Sequence, residues 1–69
     1  MQASPKHART GQRVRVLSGS CAGAVGVIAN IEQGRTVRVR VRFDPPIRIL
    51  AAGLIGSVWC TADGVEEVD

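Results

Sequence analysis

The chain has 69 residues, a formal net charge of +3 and a hydrophobic fraction of 45%. This length allows one small domain, and this hydrophobic fraction excludes a chain that is disordered throughout. No apolar run approaches the roughly 18 residues that a membrane span needs, and residues 1–10 lack the apolar core of a signal peptide. A cytoplasmic protein without membrane contact is therefore expected.

Charge is distributed unevenly along the chain. Residues 1–48 hold all nine basic residues against only Glu32 and Asp44, which leaves +7, whereas the four acids that follow give −4. Lys6 is the only lysine, so the basic charge is almost entirely arginine, the better bidentate partner for phosphate. The asymmetry makes an anionic partner one candidate class of ligand.

Residues 1–10 are polar, contain Pro5 and show no periodicity. This composition predicts a flexible, weakly basic arm in front of one domain over residues 11–69.

The first two predicted strands follow this arm. Residues 12–18 alternate valines with arginines, which is typical of a strand that is buried on one face. After a turn of small residues, residues 24–31 form a second strand that is apolar on both faces, so something must cover its outer side. The outward residues of the first strand are Arg13 and Arg15.

The clearest strand is predicted over residues 35–43, after a hairpin turn that contains Gly34. Its strict period of two separates an apolar face from a basic face, whereas a helix would mix the two sets. The inward set is Val37, Val39, Val41 and Phe43, and the outward set is Arg38, Arg40 and Arg42.

Two prolines after Asp44 are expected to end this strand. The segment 44–53 is then predicted to be either a short helix or an irregular apolar loop. Residues 54–61 and 65–68 predict two more strands with a tight turn between them. Trp59, in the fourth strand, is expected in the core.

These five short strands predict an all-β fold, a single small five-stranded SH3-like barrel. Such a barrel removes exposed strand edges by closing the sheet. The final strand would pair with the first, which places Glu66 and Glu67 near Arg13 and Arg15. The basic third strand would stay uncovered.

Residues 11–28, GQRVRVLSGSCAGAVGVI, combine alternating hydrophobics with Gly11, Gly19, Gly23 and Gly26. In this they resemble the KOW motif of NusG-type transcription factors and of large-subunit ribosomal proteins. The resemblance implies an SH3-like barrel and RNA binding. The loop that carries basic residues in RNA-binding KOW domains is uncharged here, so RNA would have to bind elsewhere.

No catalytic constellation is visible, and no enzyme activity, cofactor or small-molecule substrate is expected. His7, the only histidine, lies in the predicted arm. Cys21 and Cys60 have neither the spacing nor the partners of a zinc site, which excludes a metal centre of that type. Two reduced, half-buried thiols are expected, with a disulfide as the less favoured alternative.

Two functional hypotheses remain. The first is nucleic-acid binding through outward arginines. The alternative explanation of these arginines is that they form a solvated strand face that binds nothing. The second is protein interaction or self-assembly through apolar residues of 47–55. The protein would then be an orphan mobile-element or phage barrel that forms oligomers, or a subunit of a larger complex. The nucleic-acid candidates are Arg13, Arg15, Arg35, Arg38, Arg40 and Arg42. The interface candidates are Ile28, Ile47, Ile49, Leu50, Leu54 and Ile55.

Overall fold

The computed structural model describes residues 8–68 of the chain. These residues form one antiparallel sheet of five strands in the order β4-β3-β2-β1-β5. The predicted all-β class is confirmed. The elements are β1 (Arg13–Val16), β2 (Val25–Gln33), β3 (Val37–Ile49), β4 (Gly53–Thr61), a 3₁₀ turn (Ala62–Gly64) and β5 (Val65–Glu67).

The first and last strands pair as predicted. β5 lies antiparallel beside β1, with Arg15 opposite Glu66 and Val16 opposite Val65. The 3₁₀ turn carries the chain from β4 to the opposite edge of the sheet. The sheet stays open rather than closing into the barrel expected, because β4 and β5 are its two edges and no strand pairing joins them within residues 8–68.

The core lies on one face of the sheet, where the strict alternation of β1 and β3 places the valines. No long helix covers this face in the described part of the chain, so the elements around the sheet must cover it. The 3₁₀ turn and the β1–β2 loop do so through Ala62 and Cys21. The buried hydrophobic residues are Val14, Val16, Cys21, Ile28, Val39, Val41, Phe43, Ala62 and Val65.

Gly26 lies at a close approach of β2 to β3. A Cβ added there would lie 2.6 Å from the carbonyl oxygen of Arg42 and 2.7 Å from Cγ1 of Val41. Both distances are shorter than van der Waals contact allows. This glycine of the KOW-like stretch is therefore explained by close packing of two strands.

The prediction of a helix or an irregular segment over 44–53 is wrong. β3 continues to Ile49 and pairs with β4, so that Ile47 lies opposite Ile55. The two prolines are accommodated because the register shifts between Arg42 and Ile47, a bulge in which the missing N–H groups remove no ladder hydrogen bond. Only the turn at residues 50–52 separates the two strands.

Of the predicted arm, residues 1–7 lie outside the described residues. Ala8 packs partly buried against the core. The backbone N–H of Arg9 donates a hydrogen bond to Oε1 of Gln12, at 3.2 Å. The chain from Ala8 onward is thus in contact with the domain.

Candidate nucleic-acid interface

The side of the sheet that faces away from the core, called the outer face below, carries most of the candidate arginines. Cross-strand pairing sets them in rows on β1 to β4, because residues directly opposite one another share a face. One row runs from Asn30 through Arg40 to Trp59. Two further rows are Glu32–Arg38–Thr61 and Arg13–Val27–Arg42–Ser57, and a fourth, which reaches β5, is Val25–Arg15–Glu66.

Trp59 belongs to this outer face, and the expectation of a core position is wrong. Its side chain is 45% exposed, whereas its neighbours Val58 and Cys60 are partly buried against the core. The period of two along a strand forces this outcome, because two inward neighbours leave the residue between them outward. The same alternation, visible in the sequence, was the signal that could have found it.

Arg38 lies over the indole of Trp59, with its Cζ atom 5.1 Å from the ring centroid. Its Nε also donates a hydrogen bond to Oε1 of Glu32 at 3.0 Å, in an ion pair across the β2–β3 hairpin. Both partners are half exposed, so solvent weakens the pair. The ion pair and the ring together hold the guanidinium in place and offset its charge.

At the other end of the outer face, Arg15 forms an ion pair with Glu66, with 3.0 Å between Nη1 and Oε1. This pairing confirms the expectation that the acidic chain end meets the first strand. Arg13 lies one row away, opposite Val27 and on the same side as Arg42. The β1 end of the face is therefore partly neutralised.

Arg40 and Arg42 occupy the middle of the outer face, and neither forms an ion pair within residues 8–68. Arg42 is exposed and Arg40 is half-buried, and Nε of Arg40 is enclosed without a hydrogen-bond acceptor. No carboxylate of the described residues pairs with either guanidinium, and the nearest acid in sequence, Asp44, lines a groove together with Arg42 and Arg13. Arg40 and Arg42 lie between the two arginines whose charge a glutamate offsets.

Arg35 stands apart from the outer face. It lies in the turn between β2 and β3, exposed, and has no cross-strand partner in the ladder. The sequence had placed it at the start of the third strand. That strand begins two residues later, at Val37, so Arg35 does not extend the series of outward arginines along β3, which is Arg38, Arg40 and Arg42.

The predicted apolar interface residues fall into three groups, which are buried, exposed and partly buried. Ile28 is only 1% exposed and belongs to the core, so its assignment to an interface is wrong. It points inward because it lies opposite Val41 in the ladder. Leu50 is fully exposed and Leu54 is 65% exposed at the tip of the β3–β4 hairpin. Partly buried residues that pack against the core are Ile47, Ile49 and Ile55.

Cys21 and Cys60 are free thiols that line the same cleft, between the β1–β2 loop and β4. Burial raises the pKa of the Cys60 thiol, and the nearby Cys21 raises it further. A raised pKa keeps the thiol protonated and weakly nucleophilic near neutral pH. Cys60 therefore lacks the activated thiolate that nucleophilic catalysis requires.

Among residues 8–68 there is no cluster of three or more His, Cys, Asp or Glu side chains that could hold a metal ion. That part of the chain also contains no helix of the length and apolarity needed to span a bilayer.

Comparison with protein-family models, with curated proteins and with solved structures found no match for this chain.

Proposed function

We propose that this protein is a non-enzymatic module that binds nucleic acid through its outer face. The observation that carries the proposal is that Arg40 and Arg42, in adjacent rows of that face, form no ion pair within residues 8–68. Arginine pairs bidentately with phosphate, and two neighbouring guanidinium groups fit the repeating charge of a phosphate backbone.

The distribution of acids supports the outer face as the binding surface. Glu32 and Glu66 lie near its two ends, each engaged by an arginine. Asp44 lies beside Arg42 without an ion pair, so the arginines still outnumber the acids in the middle of the face. An anion that approaches the sheet is therefore attracted to the rows of Arg40 and Arg42. The uncharged β1–β2 loop of the KOW-like stretch, residues 17–24, offers no such attraction.

In this proposal the protein acts in the cytoplasm, with RNA as the ligand that the KOW resemblance implies. Cys21 and Cys60 are unbonded although they line one cleft, a state that a reducing compartment maintains.

A fluorescence-anisotropy titration tests this function directly. The wild-type protein is expected to bind labelled RNA or DNA oligonucleotides at 50 mM salt, and the affinity should fall at least several-fold at 200 mM salt. A labelled acidic peptide of matched length serves as the control ligand. Absence of binding to both nucleic acids at 50 mM salt would refute the proposed function.

A second candidate function, self-association, is favoured by the exposed tip of the β3–β4 hairpin. Leu50 and Leu54 expose large apolar side chains there. The adjoining edge strand β4, GLIGSVWCT, has no charged residue or proline, the devices that normally deter edge pairing. An edge of this kind can pair with a second copy of the chain.

Sedimentation velocity over a concentration series tests this second function. The wild-type protein is expected to dimerise, and the double variant Leu50→Ser/Leu54→Thr should weaken the dimer about tenfold or more. Leu17→Ser removes an equally large, half-exposed leucine away from the hairpin and should leave the dimer unchanged. A wild-type monomer at several hundred micromolar would exclude this function.

A further inference from the structure

Trp59 and Arg38 form a stack on the outer face that the charge of the face alone does not explain. The indole is 45% exposed, and the Arg38 guanidinium lies over it at 5.1 Å. An exposed tryptophan gives up hydrophobic burial, and an indole ring or an arginine guanidinium is a flat group on which a nucleobase packs well.

We propose that the outer face selects single-stranded nucleic acid, with one unpaired base joining the stack of Trp59 and Arg38 while Arg40 and Arg42 contact the adjoining phosphates. This inference rests on the proposed function and names its ligand class. Every base has a flat aromatic surface, so the contact tolerates any sequence.

The stack discriminates against duplexes. In a double helix each base is already stacked and paired, so offering a base to Trp59 would require unstacking it at a cost of a few kcal/mol. The arginines, in contrast, meet the phosphates of either form. Selectivity for single strands therefore resides in Trp59 and Arg38, and the charge that drives binding resides in Arg40 and Arg42.

Glu32 acts here as a positioning residue for Arg38, which is the stacking surface. The Nε hydrogen bond to Glu32, at 3.0 Å, fixes the guanidinium beside the ring. Because Glu32 offsets its charge, Arg38 should contribute little to the salt dependence of binding. Its contribution should appear instead in the contact with the base.

The distance between the first and last outward arginines of β3 sets the size of the site. Arg38 and Arg42 are four residues apart on one strand, which spans about 14 Å. A stacked nucleic-acid strand advances about 3.4 Å per nucleotide, so the distance from Arg38 to Arg42 equals the length of roughly four nucleotides. A short oligonucleotide should therefore fill the outer face.

The test compares three labelled ligands of about eight units: a single-stranded oligothymidylate, the corresponding duplex, and an abasic strand with the same phosphates but no bases. Anisotropy titrations are made with the wild type, Trp59→Leu and Trp59→Phe, each first shown to be folded by thermal unfolding. Fluorescence of Trp59, the only tryptophan of the chain, reports directly on stacking.

The wild type is expected to bind the single strand about 5- to 100-fold more tightly than the abasic strand, with quenching of Trp59. Trp59→Leu should lose this preference while binding the abasic strand and the duplex unchanged, and Trp59→Phe should keep most of it. Equal affinity of the wild type for all three ligands, with Trp59→Leu unchanged, would overturn the inference and leave the proposed function standing. Absence of binding to all three would refute both.

Discussion

Thermal unfolding of the Gly26→Ala variant is expected to show a large loss of stability, about 2–3 kcal/mol, which lowers the Tm by on the order of 10–20 °C in a domain of this size. The added Cβ would meet the carbonyl oxygen of Arg42 at 2.6 Å and Cγ1 of Val41 at 2.7 Å. Neither group can move aside cheaply, since one is backbone and the other belongs to a fully buried valine. Circular dichroism against temperature measures the effect.

Gly56→Ala is the matched control for this variant. Gly56 also lies in a strand, but a Cβ added there meets nothing within 4 Å, and its φ is outside the left-handed region. Its Tm should therefore change by only a few degrees or rise slightly. Equal losses in the two variants would show that close packing of β2 on β3 does not explain Gly26.

Replacing both Arg40 and Arg42 with glutamine is expected to weaken binding of a single strand about 25-fold at 0.1 M salt. The figure follows from counterion release, because each phosphate contact contributes a slope of about −0.7 in log K against log salt for single strands. Two lost contacts therefore lower K by a factor of about 25 for each tenfold interval of salt below 1 M, and 0.1 M lies one such interval below. Glutamine keeps much of the length and polarity of the side chain while removing the charge. Anisotropy titration of the folded variant gives the ratio of affinities.

Arg35→Gln is the control that removes an equal charge elsewhere. Arg35 is exposed in the β2–β3 turn, outside the rows of the outer face, so its loss should weaken binding less than about threefold. If Arg35→Gln weakened binding as much as the loss of Arg40 and Arg42 together, binding would depend on the total charge of the chain. The geometry of the outer face would then have no special role.

Much of the fold follows from short-range sequence patterns. The alternation in Arg13–Val16 and in the first half of β3 predicts which residues are buried, and the structure confirms it at Val14, Val39 and Val41. The position of the acids near the chain end also indicates that the last strand lies beside the first. Such patterns are informative because one face of the sheet is buried and the other is not.

The sequence was misleading where long-range pairing overrides a local signal. Prolines normally end a strand, but a bulge lets β3 pass through them, because β4 supplies partners on both sides of the shift. From the sequence, Trp59 is expected in the core, whereas the alternation of inward and outward residues along β4 turns it outward. The ion pair of Arg38 with Glu32 depends on the register of β2 against β3, which the sequence leaves open.

The salt dependence of single-strand binding tests the central claim, that phosphates meet Arg40 and Arg42 on the outer face, most directly. Log K is measured against log salt for the wild type, the Arg40→Gln/Arg42→Gln variant and the Arg35→Gln variant. The slope of the double variant should be shallower than that of the wild type by about 1.4, and the slope of Arg35→Gln should match the wild type. Identical slopes for the wild type and the double variant would contradict the claim.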